Sequence, residues 1–387
     1  MKLLIYSHYF PPSIGGVETI VLALAGGMAD FPALSLGTRF EVTLVTQTPR
    51  GNFEDGHFPF QIVRQPPLGQ LWRLIRAADV LHLSGPSLTP LLFAYLARRP
   101  VVVEHHGFQT VCPNGQLFME SLDEPCPGHF MAHHHTTCLR CNVRWGALSS
   151  ASHWLLTFVR RFLCSYASSN VVPTQWLGGQ LGLPRTACLA HGLETIAPVP
   201  QHPRAGQPIL AFQGRLVSTK GVAVLLEATR VLKEERDRPV KLLIIGDGPE
   251  REPLERLMRQ KGLSNEVRFV GSVPAPQLEQ MLSNVWGIVV PSVAGEVFGL
   301  VVAENMFRAI PVIASDLGPF VEILGNTGVV FRNQDPVDLA DQIVKLLDDS
   351  AGATQLGRRA RERAVDYYTR SRMIEAHARL YRSVVDR

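Results

Sequence analysis

The stretch ILAFQGRLVSTKGVAVLLEATRVLKEE, residues 209–235, contains the structural unit that recurs along this chain. Its first four residues form an apolar strand pattern, and glycines and cations follow directly in the turn. An amphipathic helical pattern then runs from Val222 to Glu235. A strand, a short turn and a helix in succession are typical of an α/β fold with a mainly parallel sheet.

The same alternation occurs on both sides of this stretch. Further strands are predicted at 3–6, 42–45, 80–83, 101–103, 241–245, 267–270 and 287–290, with helical patterns between several of them. Between the two series lies PVPQHPRAGQP, residues 198–208, whose four prolines suit an interdomain linker. We predict two Rossmann-like doubly wound domains, 1–197 and 208–365, a linker at 198–207, and a last helix at 366–387 that could cross back to the first domain.

Composition and charge exclude several classes of protein. With 46% hydrophobic and 19% charged residues, the chain is globular rather than disordered. A formal net charge of +4 gives no indication of nucleic acid as a partner. No apolar run reaches the ~18 residues of a membrane span, and MKLLIYSHYFPP has too short an apolar stretch for a secretory signal. We therefore expect a cytoplasmic chain.

The loops after the strands carry the candidate binding residues. Doubly wound domains bind ligands at the carboxyl ends of their strands. Gly15-Gly16 precedes a helix and would let an anion approach its N-terminus, although a plain strand-to-helix turn is equally possible. Arg215 and Lys220 follow the strand at 209–212. Two cations at the carboxyl end of a strand are better explained as ligands of a pyrophosphate than as ordinary surface cations.

The stretch EVFGLVVAE, residues 296–304, places two carboxylates around an apolar helical segment. Glu304 lies about one and a half turns inside the predicted helix, so the two acids would reach opposite ends of a bound molecule. A carboxylate that accepts hydrogen bonds from vicinal hydroxyls suits a ribose or a hexose. Gly299 and Leu300 could offer backbone N–H groups to a phosphate between them.

Taken together, these motifs resemble the retaining glycosyltransferases of family 4, glycosyl transferases group 1, which have the two-domain GT-B fold. The resemblance rests on the order and spacing of several short motifs over nearly the whole chain. They are GGVE at 15–18, HG at 106–107, HGLE at 191–194, GRL at 214–216 with KG at 220–221, GDGP at 246–249, FVG at 269–271, and the pair Glu296 and Glu304 with FGL between them.

The resemblance implies a role for each matching residue. The implied catalytic residues are His106, Glu296, Arg215 and Lys220, although His105 could be the inward-facing histidine instead. The implied donor-binding residues are Gly15, Gly16, Arg215, Lys220, Glu296, Phe298, Gly299, Leu300 and Glu304. Arg215 and Lys220 would hold the diphosphate in place of a metal, Glu304 the ribose hydroxyls, and Glu296 the donor sugar.

Four cysteines lie in a Cys- and His-rich insertion that we place at 107–142. Cys112, Cys126, Cys138 and Cys141 have the spacing C-x13-C-x11-C-x2-C, which could wrap a structural Zn²⁺. Only one close pair of cysteines is present, so free thiols remain an alternative to a zinc site. Separately, we expect that catalysis requires no cofactor. Cys164 and Cys188 are expected to be ordinary core residues.

The predicted function is transfer of a sugar from a nucleotide diphosphate donor to a carbohydrate or lipid-linked acceptor, in cell-surface glycan or glycoconjugate synthesis. A sugar-nucleotide epimerase of the same fold and a non-catalytic sugar-nucleotide-binding protein are the alternatives. Peripheral contact with an anionic membrane, at the inner face, is a further hypothesis. It rests on the nine Arg against four Asp/Glu in 356–387 and on the apolar segment 154–163, for which we favour a core helix.

Overall fold

The chain folds into two units, each with its own parallel sheet. The structure, a computed structural model, describes residues 1–31, 39–122, 124–142, 146–199 and 206–386. One unit comprises Met1–Leu122, Cys126–Glu194 and Tyr367–Arg387, and the other comprises Thr195–Asp366 with the short segment Asp123–Pro125. Of the predicted linker 198–207, residues 200–205 lie outside the described residues, and Val199 is buried and donates its N–H to Arg308 O at 3.0 Å.

The first unit contains a seven-stranded sheet with the order β3-β2-β1-β4-β5-β8-β9. All its neighbouring strands are parallel. The strands of this part of the chain are β1 Lys2–Ser7, β2 Glu41–Thr46, β3 Gln61–Arg64, β4 Val80–Ser84, β5 Val101–Glu104, β6 Phe118–Met119, β7 Glu124–Pro125, β8 Ser169–Val172 and β9 Thr186–Cys188. Its helices are Gly16–Ala29, Leu68–Ala77, Leu88–Leu96, His135–Cys141, Ala147–Cys164, Gln175–Leu181 and Arg370–Val385.

The second unit contains a six-stranded parallel sheet with the order β12-β11-β10-β13-β14-β15. Its strands are β10 Ile209–Gln213, β11 Lys241–Ile245, β12 Val267–Gly271, β13 Gly287–Val290, β14 Val312–Ser315 and β15 Val329–Phe331. Its helices are Val222–Glu234, Arg251–Gln260, Ala275–Leu282, Leu300–Phe307, Gly318–Leu324, Pro336–Asp348 and Ser350–Tyr367, the last of which ends one residue beyond the unit.

Each sheet is buried on both faces, which explains why its central strands are continuous apolar runs. Leu3, Leu4 and Ile5 in β1 are at most 2% exposed, and Ile288 and Val289 in β13 are fully buried. Helices cover these faces, so the side chains that can meet a ligand lie at the strand ends. The predicted α/β class and the two Rossmann-like domains are therefore confirmed.

The helix Arg370–Val385 packs within the first unit, although 172 residues of the second unit precede it (Thr195–Asp366). The Leu193 N–H donates to Tyr368 O at 2.9 Å, and the Arg370 N–H donates to Leu193 O at 2.8 Å. Arg370 Nε also donates to Ala23 O in the helix Gly16–Ala29. Two chain segments that are far apart in sequence thus complete one fold.

The helix Ala147–Cys164 is not the core helix that we expected at 154–163. Its buried positions are Ser150, Thr157 and Cys164, spaced by seven residues along one stripe. Leu148 is 88% exposed and Phe162 is 61% exposed. Several apolar residues of this helix therefore face outward, whereas Trp154 and Phe158 contact His135. Among the described residues, no helix is both long and apolar enough to cross a membrane.

Candidate active site

The candidate residues of the second unit lie where its strand order reverses. Successive strands run outward in one direction from β10 to β12 and then in the other from β13 to β15. At such a switch point the loops after the two central strands diverge and leave a crevice at their carboxyl ends. Arg215 and Lys220 follow β10, and Glu296 follows β13. The predicted positions therefore flank the point where this fold binds ligands.

Gly221 lets these two loops touch. Its φ is +65°, and a Cβ at this position would lie 1.9 Å from Pro291 O. The Val293 N–H donates to Thr219 O at 2.8 Å, which fastens the same two loops side by side. Only glycine combines this left-handed backbone with so close an approach. Lys220 is thereby held beside the loop that carries Glu296.

Lys220 and Glu296 form an ion pair. Lys220 Nζ lies 2.5 Å from Glu296 Oε1, and Ser292 Oγ donates to the same oxygen at 2.7 Å. Ser292 is itself fixed, since Ser315 Oγ donates to its carbonyl oxygen at 2.6 Å. The pair is partly exposed, with 31% of the Lys220 side chain and 11% of the Glu296 side chain accessible. A cation and an acid are thus available to one ligand.

Arg215 follows β10 in the same loop and is exposed. Within the described residues its guanidinium forms no ion pair. A guanidinium presents five donors in a planar fork that matches the oxygens of a phosphate. Arg215 is therefore available to an anion that reaches the carboxyl end of β10.

The helix Leu300–Phe307 begins at Gly299, whose φ is +104°. A Cβ there would lie 2.6 Å from the Phe320 ring, so this turn too requires glycine. The first N–H groups of a helix lack intrahelical acceptors and carry partial positive charge. The Phe298 side chain is buried, so only its backbone can take part.

Glu304 lies within this helix and turns toward β10. Gln213 Nε2, at the end of β10, donates to Glu304 Oε2 at 3.2 Å. Asn305 Nδ2 in turn donates to Gln213 Oε1 at 3.4 Å. Burial raises the pKa of the Glu304 carboxyl, and Arg308 and Gln213 counter this only in part. About a quarter of the side chain, 26%, is exposed, so the carboxylate remains within reach of a ligand hydroxyl.

In the first unit, Gly15 and Gly16 begin the helix Gly16–Ala29. The Glu18 side chain folds back against Gly15, since a Cβ on Gly15 would lie 2.5 Å from Glu18 Oε2. Ser13 Oγ donates to Glu18 Oε1 at 2.9 Å and holds the carboxylate there. The predicted anion position at this helix end therefore lies beside an acidic side chain of the chain itself.

The two adjacent histidines after β5 have different surroundings. His105 is fully buried with its Nε2 2.9 Å from Asn170 Oδ1, and burial lowers its pKa to about 4. His106 is slightly exposed and its Nε2 lies 3.5 Å from Glu104 Oε2. His105 is thus a core residue. His106 is the one of the two that a ligand could reach.

The four predicted metal-binding cysteines are neighbours. Burial, together with the nearby thiols of Cys112, Cys126 and Cys141, raises the pKa of the Cys138 thiol to about 12. All four are free thiols in the structure. Cys164 is buried, whereas Cys188 is only half-buried.

Sequence reasoning missed several residues of these sites. Gln213 directly precedes the Gly214-Arg215 motif, and Ser292 directly follows Pro291, so their places at strand ends were a usable signal. Glu104, His82 and His377 lack such a signal, because the chain brings them together from positions 82 to 377.

The region that contains Lys220, Glu296 and Glu304 also has recognisable relatives. Residues 197–363 match the model of the family described as Glycosyl transferases group 1. In these residues the chain is similar to that family. The family match covers the sheet of the second unit and all the candidate residues that we placed in it.

Curated relatives of this chain match over part of their length. The D-inositol 3-phosphate glycosyltransferase of Corynebacterium diphtheriae is 34% identical over 167 residues, which are 41% of this chain and 39% of the relative. The glycogen synthase of Mycobacterium tuberculosis is 31% identical over 246 residues, 61% of this chain and 58% of the relative. The chain thus spans less than two thirds of either relative.

The fold likeness to a solved structure covers nearly the whole chain. Anabaena Alr3699/HepE, solved in complex with UDP-glucose, superposes with a TM-score of 0.73 and 19% identity. The match covers 99% of this chain and 100% of that one. The GT-B fold is therefore shown, whereas substrates remain a matter for proposal.

Proposed function

We propose that this chain is a retaining glycosyltransferase that moves a sugar from a nucleoside diphosphate sugar to a carbohydrate or lipid-linked acceptor. The observation that carries the proposal is the pairing of Lys220 with Glu296 at the switch point of the second sheet. This pair supplies a cation for a diphosphate and an acid for sugar hydroxyls side by side. The relatives named as glycosyltransferases and the neighbour solved with UDP-glucose support the same assignment.

Each group would act on a different part of the donor. The leaving diphosphate gains negative charge as the bond from the sugar breaks, and Arg215, Lys220 and the N-terminus of the helix Leu300–Phe307 would stabilise that charge. Glu304 would accept hydrogen bonds from the ribose hydroxyls. Glu296, held by Ser292, would accept them from the sugar hydroxyls.

Retention of configuration follows if the acceptor attacks from the face that the phosphate leaves. The acceptor oxygen forms the new bond to the anomeric carbon while the bond to the phosphate oxygen breaks. The acceptor proton passes to a leaving phosphate oxygen, so no carboxylate of the chain needs to be a nucleophile. In the first unit, His106 and Gly16 are the residues that we assign to the sugar and the diphosphate.

The four cysteines are a separate proposal within this function. Cys112, Cys126, Cys138 and Cys141 would hold a structural Zn²⁺ that shapes the insertion 107–142. Cys138 lies close enough to the other three thiols for their charges to raise its pKa, which supports this assignment. Thiols must lose their protons to bind the ion. The ion would act on the fold of the acceptor-side domain rather than on the transfer.

A ligand panel tests the proposal as a whole. Thermal shifts are measured with UDP, GDP, ADP and their sugars, and tight binding should stabilise the protein by roughly 2.7 kcal/mol at 100 times Kd. Slow hydrolysis of the stabilising donor in the absence of an acceptor then establishes catalysis. If every nucleotide fails to stabilise the protein, the proposal is wrong. Conversion of the donor to an epimer without transfer would favour the epimerase alternative.

A further inference from the structure

Glu104 is a fully buried carboxylate at the carboxyl end of β5, and four imidazoles surround it. Its oxygens lie 3.1 Å from His82 Nε2, 3.5 Å from His106 Nε2, 3.4 Å from His191 Nε2 and 3.9 Å from His377 Nε2. All five residues belong to the first unit. A buried carboxylate without a lysine or arginine beside it is costly unless another cation compensates its charge.

His377 does not share a proton with Glu104, since its Nε2 lies 3.9 Å from Glu104 Oε1, beyond hydrogen-bond distance.

The tautomer of His377 follows from the hydrogen bond of its Nδ1, the ring nitrogen that does not face Glu104. His377 Nδ1 lies 2.8 Å from Met373 O, and a carbonyl oxygen only accepts, so Nδ1 carries the proton. The Nε2 of the neutral ring then presents a lone pair toward Glu104 Oε1. Two electron pairs facing each other in a dry interior repel, unless a cation lies between them.

His82 has its Nδ1 engaged as well, 2.9 Å from Tyr381 Oη, and its Nε2 lies 3.1 Å from Glu104 Oε2. If Nδ1 donates its proton to the hydroxyl, Nε2 presents a lone pair toward the carboxylate, as in His377. His82 Nε2, His377 Nε2 and both Glu104 oxygens are buried, and none has a hydrogen-bond partner of acceptable geometry among the described residues. Metal-binding histidines typically have this pattern, with the outer ring nitrogen hydrogen-bonded and the inner one aimed at the ion.

We propose that His82, Glu104 and His377 hold a divalent transition-metal ion, with Zn²⁺ the best match. The three ligand atoms lie within 4.8 Å of one another. The two histidine–carboxylate separations, 3.1 and 3.9 Å, lie below the roughly 4.4 Å that two ligands each about 2.2 Å from one ion can span. Imidazole and carboxylate together suit Zn²⁺ and Fe²⁺ rather than Mg²⁺ or Ca²⁺.

The carboxylate can supply two of the four donors of such a site. His82 lies nearer to Oε2 and His377 nearer to Oε1, so both oxygens face the space between the two rings. We assign the ion to this group rather than to Glu104, His106 and His191, because its three side chains are completely buried. His106 and His191 form a separate group with Glu104, in which their rings stack 5.2 Å apart.

The ion would be structural. It would join β4, which carries His82, and β5, which carries Glu104, to the helix Arg370–Val385, which carries His377. The inference uses only the first unit and does not depend on the proposed transferase activity.

The experiment measures metal in the full chain, purified without chelators, by inductively coupled plasma mass spectrometry. The variant C138S/C141S removes the cysteine site that could also hold zinc, and it should retain about one equivalent of metal. X-ray absorption of this variant should show nitrogen and oxygen ligands at about 2.0–2.1 Å and no sulfur. H82Q/H377Q should hold one equivalent less than the wild-type chain. H57Q, at a histidine whose side chain is 77% exposed, should lose none.

Metal removal gives a second readout. Dialysis against EDTA should lower the Tm of C138S/C141S, and ZnSO₄ should restore it. The proposal is overturned if C138S/C141S is folded yet holds less than about a tenth of an equivalent of any transition metal and gains no Tm from Zn²⁺. A proton shared within the cluster would then balance Glu104. Should the cysteine variant fail to fold, a sulfur-only shell in the wild-type absorption spectrum overturns it equally.

Discussion

Lys220 Nζ lies 2.5 Å from Glu296 Oε1, and the two residues come from loops that follow different strands of one sheet. In this pair, the cation that we assign to a phosphate and the acid that we assign to a sugar neutralise each other. A bound donor would replace this contact on both sides, since its phosphate would take the ammonium and its hydroxyls the carboxylate. The pair therefore keeps both groups in position between turnovers.

Replacing Lys220 with alanine should lower kcat by roughly 10²–10³, because one donor to the developing charge is lost. Arg215→Ala should behave likewise. Both variants should keep the wild-type Tm within a few degrees. Lys233→Ala is the matched control, since its ammonium also pairs with an acid, Glu266 at 3.1 Å, but on another surface. Near-normal turnover by purified Lys220→Ala would remove the diphosphate assignment.

Glu304→Gln should weaken nucleotide binding by roughly tenfold or more, because hydrogen bonds to a charged acceptor contribute about 1.5–3 kcal/mol. Inorganic pyrophosphate lacks ribose, so its affinity should not change. Isothermal titration of both ligands checks this. Equal losses for nucleotide and pyrophosphate would place Glu304 at the phosphates instead.

The same variant should be more stable than the wild-type protein at neutral pH. Burial raises the pKa of the Glu304 carboxyl, so the protonated form favours the fold. The stabilisation from protonated Glu304 is fully present below the pKa that Glu304 has in the unfolded state. It is lost as the pH rises through the pKa of Glu304 in the folded state. The glutamine amide of Glu304→Gln cannot ionise and avoids the loss, while Arg308 keeps its contact to Glu279 at 2.7 Å. Tm against pH should show a gain that vanishes in acid, and Glu252→Gln, at an 87% exposed position, should show none.

Gly221→Ala should destabilise the second unit far more than Gly262→Ala. Both glycines have a φ of +65°, but a Cβ on Gly262 meets nothing within 4 Å, whereas one on Gly221 meets Pro291 O at 1.9 Å. The shared backbone strain costs about 1–2 kcal/mol, and the clash should add about 1–3 kcal/mol. Urea unfolding of both variants measures the difference. Equal losses would mean that the loops after β10 and β13 separate easily.

Leu148→Ser with Phe162→Ser should reduce binding to anionic vesicles at low salt by roughly tenfold or more, because burying each side chain contributes about 1.5–3 kcal/mol. Both lie exposed on the helix Ala147–Cys164. Leu96→Ser is the control, since Leu96 is 73% exposed on a different helix. Cosedimentation with phosphatidylglycerol vesicles checks the effect. A wild-type chain that does not bind them ends the membrane hypothesis.

Cobalt substitution should show whether the four cysteines Cys112, Cys126, Cys138 and Cys141 bind a metal ion or are free thiols. Thiolate ligands would give an intense near-ultraviolet charge-transfer band that Cys138→Ser with Cys141→Ser removes. Cys164→Ser should leave the band intact, because Cys164 is a buried residue at the end of another helix. A wild-type protein without this band, after incubation with Co²⁺ under reducing conditions, would mean that the thiols are free.

The sequence predicts the parts of the fold whose signals are local. β10, β11 and β13 are continuous apolar runs bounded by turn residues, and their ends agree with the prediction within one residue. β8 escaped because half of it is polar: Ser169 and Asn170 are buried, and Asn170 Nδ2 donates to Cys164 O at 3.0 Å. A polar strand of this kind is stabilised by partners that no local pattern reveals.

The prediction of a core helix at 154–163, within the helix Ala147–Cys164, was wrong for a different reason. Its apolar residues lie on all sides, so periodicity could not indicate which face meets the unit. The structure buries a narrow stripe of small side chains, Ser150, Thr157 and Cys164, that allow close packing. The histidines around Glu104 were missed because contact between residues 82 and 377 is a property of topology rather than of motifs.

The return of the helix Arg370–Val385 to the first unit has a consequence for synthesis on the ribosome. Residues 195–366 are complete before that helix emerges, so the second unit can fold while the first still lacks an element. Until then Glu104 lacks His377, His82 lacks the Tyr381 hydroxyl, and Leu193 lacks its backbone hydrogen bonds to Tyr368 and Arg370. The first unit, whose first segment is synthesised earliest, is thus completed last. Its apolar surface therefore stays exposed to chaperones for longer than the apolar surface of the second unit.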